Sequence, residues 1–136
     1  MGKELYASSY PFRSSIEKMQ QSLDSLPAKD KPTWNLVDQL YAPTETSRVA
    51  EATVSQPLCT ALQVALVDVL DAAGIKFFAV VGHSSGEIGA AYAAGYLSAT
   101  DAVWLISILE FFFMSSRCSD VLRFGRYVSN ILAPFS

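Results

Sequence analysis

Between Pro11 and Leu26 the apolar residues Phe12, Ile16, Met19, Leu23 and Leu26 recur at intervals of four and three, which marks one face of a helix. Pro11 suits the first turn of that helix, where an amide hydrogen has no partner to lose. Lys18, Gln20, Gln21 and Asp24 fall on the other side as its expected wet face. Pro27 to Pro32, with Lys29, Asp30 and Lys31 between two prolines, predicts a surface loop, and a short helix over 34–41 stops before Pro43. Residues 44–55 are polar and irregular, with room for one helical turn. Leu58, Leu62, Ala65, Leu66, Val69 and Leu70 then predict a helix over 56–73, with Pro57 near its start and Gly74 ending it.

The period changes after Gly74. Phe77, Phe78, Ala79, Val80 and Val81 form a short unbroken apolar run, the pattern of a parallel strand covered on both faces. Gly82-His83-Ser84-Ser85-Gly86 follows at once, and after it the small residues Gly89, Ala90, Ala91, Ala93 and Ala94 predict a closely packed helix. Strand, glycine-flanked serine and helix together are the pattern of a nucleophile elbow, in which a strained turn lifts the serine oxygen out of the sheet edge. The two glycines are expected to give clearance, and the helix to aim backbone N–H groups and a positive dipole end at Ser84. In that arrangement the Ser85 N–H is a candidate oxyanion donor. The alternative is a strand-to-helix turn without chemistry.

Ser98 to Asp101 has the spacing of a capping box and opens another helix, bearing Val103, Trp104, Ile106, Ile108, Leu109 and the three phenylalanines 111–113. From Ser115 the pattern breaks; Arg117, Arg123 and Arg126 make the end locally basic. The order helix, turn, apolar strand, elbow, helix predicts an α/β protein.

Half of the 136 residues are apolar, enough for one hydrophobic core, and the net charge of −3 comes without a basic stripe in the first hundred residues. Nucleic acid is therefore not expected as a partner. The most apolar stretch, 102–114, is interrupted by Glu110 and is shorter than the ~20 residues a membrane span requires, so no membrane partner is expected either. Cys59 and Cys118 form no C-x-x-C pair and neither lies near the single histidine, which argues against a metal site and for a reducing, cytoplasmic setting; Cys59 is expected as a small core residue. The opening residues lack a basic stretch followed by an apolar one, so no secretory signal is expected.

The stretch TSRVAEATVSQPLCTALQVALVDVLDAAGIKFFAVVGHSSGEIGAAYAAGYLSATDAV resembles the acyltransferase domain of iterative polyketide synthases, particularly the fungal highly reducing type, and the opening MGKELYASSYPFRSSIEKMQQSL looks like the same domain. Its specificity lies in the SQPLCTALQ helix set at this distance from GHSSGEIGAAYAAG, because the elbow alone also fits α/β-hydrolases. The resemblance covers residues 1–103 and leaves 104–136 as a divergent tail. It implies a partial α/β-hydrolase-like large subdomain, mostly helical with a few parallel strands and without the family's ferredoxin-like subdomain. It also implies the reaction: an acyl group, usually malonyl, passes from coenzyme A to Ser84 and on to the phosphopantetheine arm of an acyl carrier protein. The carrier protein and other synthase domains are the implied partners, and no bound cofactor is implied. By the same resemblance His83 lines the pocket or serves structurally rather than as the base, and Gln56 matches a glutamine near the active site.

Three departures accompany these matches. The family's base is a histidine far downstream of the elbow, whereas His83 is the only histidine here. The Gly-Gln-Gly loop that supplies a second oxyanion donor is missing, and Leu109 lies in the region where the family carries its carboxylate-binding arginine. Members of such a constellation act as a unit, so little or no transfer activity is expected from this chain alone. Two other readings stand beside the truncated acyltransferase: an α/β-hydrolase or esterase fragment, for which no HGGG-type loop precedes the elbow, and a non-catalytic short form that binds a synthase partner. A lone strand with uncovered faces further predicts marginal stability or aggregation.

Overall fold

The computed structural model describes residues 2–114, with side chains described through Leu109. The expectations for the side chains of the three phenylalanines, for Cys118 and for the basic tail lie outside the described residues. Six helices follow one another: α1 (Lys3–Ser8), α2 (Tyr10–Asp24), α3 (Leu36–Tyr41), α4 (Ala52–Ala72), α5 (Gly86–Ala93) and α6 (Ala99–Met114).

The core is a three-helix contact in which α2, α4 and α6 all touch, with α5 laid against α4 and α6. The stripe read from α2 closes it as anticipated: Phe12, Ile16, Met19 and Leu23 are buried, and Leu26 just past the helix is buried too. Ser9 caps α2 by accepting from the Phe12 N–H, and Pro11 sits in the first turn. Gln20 is a correction, because it is buried rather than wet: its Oε1 accepts the Leu36 N–H at 2.7 Å. The start of α3 is thereby tied to α2, and one of the free amides at that helix end is satisfied. Asn35 satisfies two more, accepting from the N–H groups of Val37 and Asp38.

Helix α4 begins at Ala52, a turn earlier than the sequence predicts, so Pro57 lies inside it. Val54, in that extra turn, is fully buried, and its packing holds helix where proline alone argues for a later start. The apolar face is also rotated from the expected one. Leu58, Ala61, Leu62, Val64 and Ala65 are buried, while Leu66 and Leu70 are exposed. Cys59 is only half-buried. By length and composition α4 could cross a membrane, yet it is the helix on which α2 and α6 both pack. It ends as Gly74 predicts: that residue has φ +79°, its N–H bonds the Asp71 carbonyl, and the Ile75 N–H reaches back to Leu70. The Ser98–Asp101 capping box forms in both directions, with Asp101 N–H donating to Ser98 Oγ at 3.1 Å and Ser98 N–H to Asp101 Oδ2 at 3.3 Å.

The predicted strand is the main correction. Residues 75–83 run without helix or ladder, and no strand forms among the described residues. A strand needs a neighbour to bond, and none among the described residues lies beside this segment. It is not buried either: Phe78 and Val81 are fully exposed, and Phe77 and Val80 are partly so. The α/β expectation is met here on its helical side alone.

Candidate functional site

The turn between the irregular segment 75–83 and α5 holds the one non-glycine residue with positive φ among the described residues, Ser84, at φ +55°. A β-carbon in the left-handed region crowds the next carbonyl and costs about 1–2 kcal/mol. The strain falls on the residue the sequence picks as nucleophile. Gly82 is needed for close approach: a β-carbon there would stand 2.4 Å from the Gly86 carbonyl oxygen and 2.5 Å from the Glu87 backbone. The expectation that Gly86 gives clearance as well fails, since a β-carbon at Gly86 meets nothing within 4 Å. The chain folds back on one side of Ser84 only.

Three bonds close the turn and start the helix: Gly86 N–H to the His83 carbonyl at 3.0 Å, Glu87 N–H to Ser84 at 3.1 Å, and Ile88 N–H to Ser85 at 3.2 Å. The carbonyls of residues 83–85 are thus engaged, and among the described residues no acceptor takes the amides of Ser84 or Ser85. Ser85 stands at the N-cap of α5 with no side-chain capping bond. Ser84 and His83 are both exposed.

Two contacts fix α5 on α4. Gly89 packs against Gln63 so tightly that a β-carbon would lie 2.5 Å from Gln63 Oε1. One turn further along, the Tyr92 hydroxyl donates to Asp68 Oδ1. Burial, and then that hydrogen bond to a carboxylate, push the Tyr92 ionisation above its ordinary value. Neither Gln63 nor the Asp68–Tyr92 pair is singled out by a sequence motif; a glycine in a helix of small residues is the one signal of a close helix crossing.

An open groove runs beside the turn, lined by His83, Gly82 and Gly86 together with Gln63, Leu66, Leu70, Phe77, Val80 and Val81. His83 therefore stands at a mostly apolar wall. Gln56 is half-buried on α4, seven residues or ~10 Å along the axis before Gln63, and does not line this groove. The structure brings His83, Ser84 and Ser85 into one turn and leaves Gln56 apart. Among the described residues no group of His, Cys, Asp and Glu could hold a metal ion.

The family model described as the acyl transferase domain matches residues 1–116. The chain belongs to the acyl transferase domain family. It is 73% identical over 103 residues to the reducing polyketide synthase grgA of a Penicillium species and 70% identical over 103 residues to polyketide synthase 19 of Gibberella fujikuroi. Each match takes in 76% of this chain and 4% of the relative, so the chain spans a small part of the length of the synthases it resembles. Among solved structures it superposes with a TM-score of 0.71 on a loading acyltransferase from the avermectin modular polyketide synthase, at 28% identity over 81% of this chain and 33% of that one. The helices around the Ser84 turn thus have the arrangement of a polyketide synthase acyltransferase.

Proposed function

We propose that this chain carries the nucleophile turn of a polyketide synthase acyltransferase, with Ser84 taking a malonyl-type acyl group from coenzyme A and passing it to the phosphopantetheine thiol of an acyl carrier protein. The observation that carries the reading is the strained left-handed backbone of Ser84, held over Gly82 at the mouth of α5 in a chain of this family. The Ser84 oxygen attacks the thioester carbonyl. The tetrahedral oxyanion is met by the Ser85 N–H, which no acceptor takes among the described residues and which stands at the positive end of α5. Collapse expels the coenzyme A thiolate, and the carrier thiol reverses the sequence. In this scheme segment 75–82, irregular in this structure, takes a sheet position in an α/β-hydrolase-like subdomain. The curated synthases match 103 residues of the chain, and the family model extends to residue 116.

A serine hydroxyl needs a base to become a nucleophile. His83 is the sole imidazole in the sequence and precedes Ser84 directly, on the apolar groove wall, so it shapes the pocket and the base comes from polypeptide other than these residues. Gln56 lies apart from the groove, so its substrate-binding role in this reading rests on its match to the family's glutamine alone.

The test is a chimera in which these residues replace the matching 103 residues of the Penicillium synthase, supplied with malonyl-coenzyme A and carrier protein. The chimera is expected to load the carrier, and its Ser84→Ala form to lose at least a thousandfold in rate. Loading that persists in the alanine form would overturn the assignment.

A further inference from the structure

Asp68 and Asp71 place two carboxylates in the last two turns of α4, at the end where the helix dipole is negative and a cation is preferred. Their partners lie on either side of the Ser84 turn. Asp71 Oδ1 takes Lys76 Nζ at 2.6 Å, ahead of the turn, and Asp68 Oδ1 accepts the hydroxyl of Tyr92, near the end of α5. The two contacts are unequal. Asp71 and Lys76 are mostly exposed, and an ion pair in water holds little. Asp68 and Tyr92 are half-buried, and theirs is the one side-chain hydrogen bond between α5 and another helix among the described residues.

Helix α5 depends on such a contact. At eight residues it is shorter than the ~12–15 at which a helix holds itself in water, so its place is set by what it packs on. Gly89 against Gln63 lets the axes of α5 and α4 approach but offers no side chain to stop α5 from tilting. Along α5, Ser85 lies four residues or ~6 Å to one side of Gly89, and Tyr92 three residues or ~4.5 Å to the other. A tilt about Gly89 that moves Tyr92 by ~1 Å therefore moves Ser85 by ~1.3 Å the opposite way. The Ser84 turn follows, because the amides of Gly86, Glu87 and Ile88 bond the carbonyls of residues 83–85. We propose that Asp68 is a positioning residue for the Ser84 turn, holding the far end of α5 through Tyr92 so that the Ser85 N–H keeps its place. The consequence for rate rests on Ser84 being the nucleophile, whereas the geometry does not. A displacement of about 1 Å at a reacting group costs up to about a hundredfold.

Two experiments decide this. In the chimeric Penicillium synthase, Asp68→Ala and Tyr92→Phe are each expected to lower kcat for carrier loading about ten- to hundredfold with KM for malonyl-coenzyme A unchanged, since the oxyanion forms only on the way to the acyl-enzyme. The double variant is expected to fall no further than either single one, as one bond cannot be lost twice. Asp68→Asn keeps an acceptor oxygen for the hydroxyl and is expected to restore loading to near the native rate. Asp71→Ala, which frees only an exposed lysine, is expected to load as the native chimera does. In the full 136-residue chain, the Gly86, Glu87 and Ile88 amides are expected to exchange with solvent about tenfold faster after Asp68→Ala and at the native rate after Asp68→Asn, while the Ile16 and Met19 amides of α2 keep theirs. A native chimera that does not load ends the reading of Ser84 and leaves the exchange to decide the role of Asp68. Unchanged kcat in a loading chimera, additive losses in the double variant, no rescue by asparagine, or unchanged exchange in the chain would each overturn the proposal.

Discussion

Ser84 and Gly82 divide the work of the turn between strain and clearance. Relieving the strain has a measurable sign. Ser84→Gly removes the β-carbon from a φ of +55° and is expected to raise unfolding free energy by about 1 kcal/mol, net of the greater chain freedom of glycine, while deleting the nucleophile. Gly82→Ala works the other way. Its new β-carbon meets the backbone of Gly86 and Glu87, which cannot move aside as a side chain would, and a loss of about 2–3 kcal/mol is expected in urea titration. Gly86→Ala meets nothing and is expected to be neutral or slightly stabilising, since alanine is the better helix former. A motif reading treats the two glycines alike, and the urea midpoints separate them. The Gly82–Gly86 pattern was legible as a motif, but which glycine the geometry requires was not, because that depends on where the chain folds back after Ser84.

At the scale of elements, α5 is held by α4 through the Gly89–Gln63 contact and the Tyr92–Asp68 bond. Tyr92→Phe keeps the ring and loses the bond, and is expected to cost about 1–2 kcal/mol because the acceptor is a carboxylate. The same pair sets an alkaline limit. Tyr92 ionises above its ordinary value of 10.0 in the folded chain, so its contribution is whole below that value and is lost as pH climbs through the raised folded value. The native chain should therefore lose stability above pH ~10 more steeply than the Tyr92→Phe form, as followed by denaturant titration across that range. Local signals gave the helices well: the stripe from Phe12 to Leu26, Gly74 behind α4 and the Ser98–Asp101 box each act within a turn or so of themselves. What was not legible came from distant partners. Gln20 is buried because Leu36 needs an acceptor sixteen residues away, α4 starts early because Val54 finds a place in the core, and α1 had no periodic signal to announce it.

The described residues form a helical core of α2, α4 and α6, with the Ser84 turn opening α5 against it. Phe77 to Val81 read as a strand because its composition is that of a strand, and it is not one among the described residues because pairing is a property of two segments. Among the described residues the Ser84 turn is complete in backbone: Ser84 holds a left-handed φ, and the carbonyls of residues 83–85 are engaged by the first turn of α5. The most direct measurement is malonyl transfer from coenzyme A to a carrier protein by the purified 136-residue chain, run beside its Ser84→Ala form. The two are predicted to be indistinguishable, because the one imidazole in the sequence, His83, is read as lining the groove rather than as the base for Ser84. Robust transfer by the native chain, abolished in the alanine form, would contradict this account and place a working base within these residues.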